Sequence, residues 1–464
     1  MFVKSRILFL FSIILILTGC GAKQVVSEYI GGKDNTESPS QLGSFFETAI
    51  LNNVWSEKIG KGAKDQYTKI TPNILDEKVF IADPNGIVAA LAKNTGKYIW
   101  RKKTQLPITG GTGVGDTLVL VGTSEGEIVG FSKETGDEKW RSKISSEILS
   151  SPREADGVVV VRTIDGKTFA LDALTGARLW IYDRSVPALS LRGTSTPEIA
   201  DGFVIIGLDG GRVAVIELKS GKLVWETKVA ISRGKNELQR MVDIDAQPLV
   251  VGKNIYVSTF QANVTALALE TGQILWQREI SSHSELSADN KNLFVTDENG
   301  VIWALDRFTG STTWKQESLK YRQITGPASL DDKVVVADFE SYIHWLDKET
   351  GEVTARVQIG DEPIFTQPQS SNDMLFVYSS SGKLTAYTYQ NTEKKFQYKE
   401  TIKKEIKEES TKKRNAYERS RKLVKPKENV KEKSEENIVE SEDESSFFER
   451  FINIFSDDSE EEVE

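Results

Sequence analysis

Side chains that commonly perform enzyme chemistry are scarce in this sequence. It contains two histidines, His283 and His344, and one cysteine, Cys20. A structural zinc site takes four ligands and a Ser-His-Asp relay needs a histidine beside its serine, so these residues leave little material for either. A single cysteine also cannot form an intramolecular disulfide. The sequence therefore predicts no catalytic residue, no metal site and no cofactor, and it favours binding over catalysis.

Cys20 closes an N-terminal segment that is typical of protein export. Two basic residues precede an almost unbroken apolar run over residues 7–17. This run is much shorter than the about 20 residues of a membrane-spanning helix, so it predicts a cleaved signal peptide. Leu17-Thr-Gly-Cys20 resembles the bacterial lipobox, whose cysteine is lipidated and becomes the new N-terminus. We expect residues 1–19 to be removed and Cys20 to carry lipid; an ordinary signal with an incidental cysteine is the alternative.

The residues after Cys20 bear on the destination of the anchor. Gly21 and Ala22 follow the cysteine, and by resemblance to enterobacterial sorting the absence of aspartate there implies the outer membrane. The chain would then be held on the periplasmic face, with residues 20–50 as lipidated N-terminus and linker. Several acyl chains, each contributing about 0.8 kcal/mol per buried CH₂, would form a stable membrane anchor.

A repeat dominates the middle of the chain. Glycine followed four residues later by tryptophan recurs, as in Gly176-Ala-Arg-Leu-Trp180, and an alanine, Ala355, occupies the last tryptophan position. Successive positions are 38 to 51 residues apart, which matches four-stranded propeller blades. We interpret the tryptophans as structural residues that cover the seams between blades. They are Trp55, Trp100, Trp140, Trp180, Trp225, Trp276 and Trp314.

The number of repeats predicts a closed ring. Eight pairs of strands A and B are expected to start near residues 72, 109, 150, 195, 246, 285, 326 and 366. The eighth unit ends at 387–389 without a strand D, whereas residues 54–59 form a strand D without a unit. Pairing the two removes both open edges, as a propeller requires. The predicted fold class is all-β, an eight-bladed β-propeller over residues 51–390.

One unit shows the family resemblance of the repeats most clearly. Ala170-Leu-Asp-x-x-Thr-Gly-x-x-x-Trp180 resembles the repeats of quinoprotein dehydrogenases, which use pyrroloquinoline quinone. That resemblance leaves an oxidoreductase open as an alternative. Those enzymes characteristically add a calcium site and often a disulfide of adjacent cysteines, and this chain has no Cys-Cys pair and no large inserted loops.

Three further segments resemble the BamB family of lipoproteins from the outer-membrane β-barrel assembly (BAM) machinery. They are Ala188-Leu-Ser-Leu-Arg-Gly193, Met241-Val-Asp-Ile-Asp245 and Gln261-Ala-Asn-Val-Thr-Ala-Leu267. The resemblance covers residues 1 to about 390. It implies a non-enzymatic scaffold that binds BamA and other BAM subunits and assists barrel insertion, with unfolded outer-membrane proteins as further candidate partners. A propeller that binds a small ligand or peptidoglycan is a further alternative.

Two long connections between blades contain the first two of these segments and, with them, the candidate partner-binding residues. Extra residues lie in 184–196 and 230–246, which both connect strand D to the next strand A and so emerge on one face. Loops on a rigid scaffold are where binding residues concentrate. The candidates are Leu189, Leu191 and Arg192 in the first connection and Asp243 and Asp245 in the second. An internal clasp between Arg192 and an aspartate, without a partner, is the alternative.

The charge distribution separates the propeller from a C-terminal tail. The formal net charge is −9, and the predicted folded part has no basic stripe, which argues against nucleic-acid binding. Residues 391–464 combine low hydrophobicity with high charge, so we expect them to be disordered. Five apolar residues at helical spacing within this tail form either a partner-docking or membrane-surface helix or a chance cluster. They are Phe447, Phe448, Phe451, Ile452 and Phe455.

Overall fold

The computed structural model describes residues 37–63, 68, 70–184, 194–231, 241–391 and 411–412. The chain divides into two units, residues 1–395 and 396–464. All strands lie in the first unit, and of the second only residues 411–412 are described. The predicted signal peptide, Cys20 and nearly all of the predicted disordered tail lie outside the described residues.

The first unit consists of eight four-stranded antiparallel sheets, or blades, each with strands A to D. Blade 1 has β2 (Asn73–Leu75), β3 (Lys78–Asp83), β4 (Ile87–Ala92) and β5 (Tyr98–Lys103); blade 2 has β6 (Ile108–Val114), β7 (Leu118–Thr123), β8 (Glu127–Ser132) and β9 (Glu138–Lys143). Blade 3 has β10 (Arg153–Ala155), β11 (Val158–Arg162), β12 (Thr168–Asp172) and β13 (Arg178–Tyr182); blade 4 has β14 (Glu198–Ala200), β15 (Phe203–Leu208), β16 (Arg212–Glu217) and β17 (Leu223–Lys228).

The remaining blades follow the same order except the last, whose strand D comes from the N-terminal side. Blade 5 has β18 (Leu249–Val251), β19 (Asn254–Ser258), β20 (Asn263–Ala268) and β21 (Ile274–Glu279); blade 6 has β22 (Ser287–Ala288), β23 (Asn292–Thr296), β24 (Ile302–Asp306) and β25 (Thr312–Gln316). Blade 7 has β26 (Ala328–Leu330), β27 (Lys333–Ala337), β28 (Tyr342–Asp347) and β29 (Val353–Gln358); blade 8 has β30 (Gln369–Ser371), β31 (Met374–Tyr378), β32 (Lys383–Asn391) and β1 (Ala49–Lys58).

The inner strands form because their residues suit burial on both faces. The B strand β11 (Val-Val-Val-Val-Arg) is buried along its whole length, and its β-branched residues fit a pleated surface packed on two sides. D strands are mostly exposed, and in β9 only Trp140 is buried. The apolar clusters join neighbouring blades, so the core lies between the blades.

The predicted ring closure is confirmed. Strand β1 pairs antiparallel with β32 from Ala49 opposite Asn391 to Lys58 opposite Lys383, and β30 lies beside both β2 and β26. The strand starts at Ala49, earlier than the predicted residue 54. Its first residues extend the pairing because Ala49 is fully buried and Leu51 packs beside Tyr389. The eight-bladed all-β propeller predicted from the repeats is therefore the observed fold.

Each repeat tryptophan lies at a seam between two blades. Its indole Nε1 donates a hydrogen bond to a backbone carbonyl of the next blade, as from Trp140 to Ala173 O at 2.8 Å. The other six bonds measure 2.7–3.0 Å and join Trp55 to Lys93, Trp100 to Lys133, Trp180 to Leu218, Trp225 to Leu269, Trp276 to Arg307 and Trp314 to Lys348. Within the described residues, no helix is long and apolar enough to span a membrane.

Candidate functional site

The described ends of the two long connections predicted as the binding site lie at one end of blades 3 to 5. In an antiparallel blade the D-to-A connections and the B-to-C turns emerge at the same end, so these connections share their end with the B-to-C turns. Residues 185–193 and 232–240 lie outside the described residues, and with them Leu189, Leu191 and Arg192. The structure therefore describes the base of the candidate site, on which both connections stand.

Asp243 and Asp245 belong to this base and are both buried, with exposed fractions of 2% and 5%. The Asp243 carboxylate Oδ1 accepts a hydrogen bond from the Gly210 amide at 3.1 Å. Its backbone carbonyl accepts one from the Phe260 amide at 3.0 Å. Gly210 and Phe260 lie in the B-to-C turns of blades 4 and 5, so Asp243 joins the connection to both turns.

Close packing fixes the rest of the connection. A Cβ added to Gly207 would lie 2.3 Å from Ile244 Cγ2, so this backbone approach requires glycine. Ser195 Oγ donates a hydrogen bond to the Ala246 carbonyl at 2.7 Å. Residues 243–246 are thereby held between blades 4 and 5, and the base of the site is a preformed surface.

A buried arginine, Arg162, lies beneath the connections at the end of β11. Its Nη1 donates to the Gly207 carbonyl at 2.5 Å, and its side chain is almost fully buried. Burial lowers the pKa of the Arg162 guanidinium, while the Asp209 and Asp245 carboxylates oppose that shift. Buried charges persist when countercharges offset the loss of hydration, and the two aspartates provide them.

Three carboxylates lie around Arg162 among the described residues. Burial raises the pKa of Asp209; Arg162 opposes this shift and the Asp243 carboxylate adds to it. Asp209 and Asp245 act on Arg162, and Asp243 is linked to the group through Asp209. We call these four residues the acidic base of the site.

An outer group of charged residues borders the acidic base. Glu226 pairs with Arg212 at 3.0 Å and also with Arg184, and the Tyr182 hydroxyl donates to Glu226 Oε2 at 3.1 Å. A cavity of about 350 Å³ lies between this group and the acidic base. Ile231, the last described residue before 232–240, is 63% exposed.

Sequence reasoning missed Arg162 and Asp209. Arg162 carried a weak signal, since it is the one basic residue among the last residues of the eight described B strands. Asp209 looked like an ordinary turn residue in Leu208-Asp-Gly-Gly. Only the fold brings them together, because they come from different blades.

The central channel is a second, larger cavity of about 600 Å³ lined by all eight blades. Gln247 links three of its charged groups by hydrogen bonds. Arg153 Nη2 donates to Gln247 Oε1 at 2.5 Å, the Gln247 amide side chain donates to Glu198, and the Gln247 backbone amide donates to Glu285 Oε2 at 2.6 Å. Burial raises the pKa of Glu198, against the effects of Arg153 and Gln247. No group of three metal-ligating side chains occurs in the part of the chain that the structure describes.

A family model agrees with the fold and with the connections just described. The model of "Outer membrane protein assembly factor BamB" matches residues 84–316 and 309–425, which include both connections. The match extends past residue 390, where the sequence resemblance was expected to end.

Individual relatives give the same result. The outer membrane protein assembly factor BamB of Pseudomonas aeruginosa is 41% identical over 350 residues, covering 75% of this chain and 92% of that protein. The crystal structure of BamB from Moraxella catarrhalis superposes with a TM-score of 0.67 at 27% identity, over 73% of this chain and all of that one.

Quinoprotein enzymes share only the architecture. The quinohemoprotein alcohol dehydrogenase of Comamonas testosteroni superposes with a TM-score of 0.60 at 13% identity, over 73% of this chain and 76% of that one. A likeness at this identity shows the propeller fold and nothing about activity. On the match of the family model and the identity to the Pseudomonas protein, the chain belongs to the BamB family of outer membrane protein assembly factors.

Proposed function

We propose that this propeller is a non-enzymatic scaffold of the outer-membrane protein assembly machinery, anchored to the periplasmic face of the outer membrane through lipidated Cys20. It contacts BamA through the two connections above the acidic base and so assists folding and insertion of β-barrel proteins. The observation that carries the proposal is the preformed base under the connections into blades 4 and 5. The relatives of this chain from Pseudomonas aeruginosa and Moraxella catarrhalis are BamB proteins, and the name of the first, outer membrane protein assembly factor, supports the same role.

The acidic base explains how the first connection would be ordered. The acidic base contains three carboxylates, Asp209, Asp243 and Asp245, and Arg192 belongs to the adjoining connection. In our proposal the Arg192 guanidinium packs on this base, where a charge-assisted hydrogen bond to carboxylate is strong. Asp243 and Asp245 then act as positioning residues beneath Arg192, which is consistent with their burial.

With Arg192 assigned to the acidic base, Leu189 and Leu191 are the residues that we propose to contact BamA. Hot spots of protein interfaces are buried anchors surrounded by polar residues, and truncating one costs at least about 2 kcal/mol, or roughly 30-fold in affinity. Two leucines beside a charged loop base match this pattern. A rigid base also reduces the entropy lost when the loop binds.

The test compares Leu191→Ala and Arg192→Ala with a matched control, Leu174→Ala. Leu174 is 86% exposed in the C-to-D turn of blade 3, at the opposite end of the blade from the connections. We expect Leu191→Ala to weaken capture of the periplasmic domains of BamA roughly 30-fold at an unchanged melting temperature. The control should match the parent in both measurements.

Arg192→Ala separates the interface from an internal clasp. We expect Arg192→Ala to weaken capture and to lower the melting temperature, because in our proposal Arg192 orders the loop on the acidic base. Weaker capture at a parental melting temperature would instead place Arg192 in direct contact with BamA. Full capture by both Leu191→Ala and Arg192→Ala would remove this site from the proposal.

A further inference from the structure

Residues 37–48, which we call the strap, cover the outer edge of blade 7. The Ser40 amide donates to the Lys320 carbonyl, and the Thr48 amide donates to the Thr354 carbonyl, both at 3.0 Å. Lys320 lies in the D-to-A connection before blade 7, and Thr354 lies near the start of β29. The strap therefore follows β29 from one end to the other before the chain turns into β1.

The strap covers the blade whose seam with the next blade lacks the tryptophan hydrogen bond. Ala355 takes the tryptophan position in blade 7 and cannot donate to blade 8. Trp345 and Tyr387 fill this seam, with ring centroids 5.9 Å apart. At the other side of blade 7, Leu42 of the strap packs on the apolar cluster shared with blade 6.

Two arginines of blade 7 hold the strap by its backbone. Arg322 Nη1 donates to the Ser40 carbonyl at 3.1 Å, and Arg356 Nη1 donates to the Gly43 carbonyl at 3.2 Å. The Arg356 guanidinium also lies 4.9 Å from the centre of the Phe45 ring, within cation–π range. These two side chains thus hold the middle of the strap, in addition to the backbone hydrogen bonds at Ser40 and Thr48.

His344 determines the placement of Arg356. Arg356 Nε donates to His344 Nδ1 at 3.1 Å, and His344 Nε2 lies 3.1 Å from Asp338 Oδ2. A guanidinium can only donate hydrogen bonds, so His344 Nδ1 is the acceptor for Arg356. The imidazole proton is therefore on Nε2, which donates a hydrogen bond to the Asp338 carboxylate. His344 is fully buried and neutral in this arrangement.

The groups around His344 set when it takes up a second proton. Burial lowers its pKa, Asp338 opposes that shift, and the positive charges of Arg356 and Arg322 reinforce it. Burial alone would raise the pKa of Asp338, but hydrogen bonds from His344, Arg322 and the Tyr342 amide hold it below its usual value. The Tyr342 ring lies 6.1 Å from the imidazole, and Glu340 pairs with Arg322.

We infer that His344 is a pH-sensitive latch for the strap. A proton taken up at Nδ1 removes the acceptor for Arg356 Nε and places two donors against each other. Arg356 then moves away and releases the Gly43 carbonyl and the Phe45 ring. This inference does not depend on which partner the propeller binds.

Strap release has a consequence for the anchor, which rests on the proposed lipidation of Cys20. The strap has 12 residues, so freeing it lengthens the tether by up to about 40 Å at about 3.3 Å per residue. Acidity outside the cell would thereby allow the propeller to move further from the membrane.

The sign of the pH effect follows from the direction of the shift. His344 is held neutral, with a pKa below the value of about 6.5 for a free histidine. The stabilisation from its neutral form is complete above about pH 6.5 and is lost as pH falls below that value towards the folded pKa. The latch is therefore closed at neutral pH and weakens in acid.

Hydrogen exchange of the full chain tests the latch at the strap amides. We expect protection of peptides covering residues 37–48 to fall between pH 7.5 and 5.0, after correction for intrinsic rates, by up to tenfold per pH unit below about 6.5. Core peptides covering β11 should keep their protection and serve as an internal control. If the protection of the strap in the parent protein does not change with pH, the inference is overturned, regardless of the protection measured in any variant.

Two substitutions make the test specific. His344→Gln can accept from Arg356 and donate to Asp338 without titrating, so it should keep the strap protected at pH 5.0. His283→Gln, which changes the chain's other histidine, should lose protection as the parent does. Arg356→Gln should expose the strap already at pH 7.5. Equal loss of strap protection in His344→Gln and the parent would show that another group is responsible.

Discussion

At the scale of residues, one glycine–tryptophan contact recurs around the ring. In blades 1 to 7 the repeat glycine lies against the tryptophan of the preceding blade, as Gly176 does against Trp140. Gly176 has a φ of +70°, so it serves both the turn and the seam. The contact lets the indole lie flat on backbone and reach the Ala173 carbonyl.

Substituting Gly176 with alanine separates these two roles. A Cβ there would lie 2.6 Å from the Trp140 ring, whereas at Gly157, with a similar φ of +74°, nothing lies within 4 Å. We expect Gly157→Ala to cost about 1 kcal/mol through backbone strain alone. Gly176→Ala should cost about 1–3 kcal/mol more through the clash.

Chemical denaturation of both variants measures the difference. The two unfolding midpoints, compared with the parent at equal slope, give the two free energies. Equal destabilisation by the two substitutions would mean that the seam accommodates a methyl group and that the repeat glycine serves the turn only.

The same scale shows which residues the sequence could reveal. The seam tryptophans and turn glycines could be identified because their partners recur one blade away. Arg162 and His344 could not, since Asp209 and Arg356 are partners that occur once and approach only in the folded ring. A repeat pattern predicts contacts that repeat, and single polar clusters at an end or a seam fall outside it.

At the scale of elements, β1 has a role that no other strand shares. It is far in sequence from its partner β32, yet it supplies the outer strand of blade 8. Its Trp55 donates to the Lys93 carbonyl and its ring packs on Gly96 of blade 1. The need for closure could be predicted from an unpaired strand at each end of the repeat. The strap before it could not, because it follows blade 7 without the alternation of a strand.

Deleting residues 21–60 should therefore destabilise all blades together. The deletion leaves β32 with an open edge and removes Trp55 from the seam with blade 1. We expect one cooperative transition at a markedly lower melting temperature. Deleting residues 392–464 is the control, and it should leave the melting temperature almost unchanged because the last of the described strands ends at Asn391. A parental melt after the first deletion would show that closure by β1 does not hold the ring.

At the scale of the whole propeller, the strap and the candidate site share one end. The strap contacts Lys320 in a D-to-A connection, and Asp243 lies in another at the end where Gly210 turns between B and C strands. Residues 21–36 precede the strap and could span at most about 55 Å when fully extended. A lipid on Cys20 would thus keep the start of the strap, beside blade 7 at this end of the propeller, within that distance of the membrane surface.

Replacing Cys20 tests this arrangement in the complete chain. Cys20 is the single cysteine, so Cys20→Ala should abolish acyl labelling and leave an unprocessed or a soluble form of the protein. The loss of several acyl chains, each worth about 0.8 kcal/mol per buried CH₂, leaves little else to retain the soluble form at the membrane.

Purification from detergent-solubilised membranes should recover a large outer-membrane barrel with the parent. Because the connections remain intact, the variant should still bind the isolated periplasmic domains of BamA. Unchanged membrane fractionation and labelling of Cys20→Ala would refute the anchor. Recovery of the parent without any barrel, together with quinone absorbance and dye-linked oxidation, would instead identify an oxidoreductase.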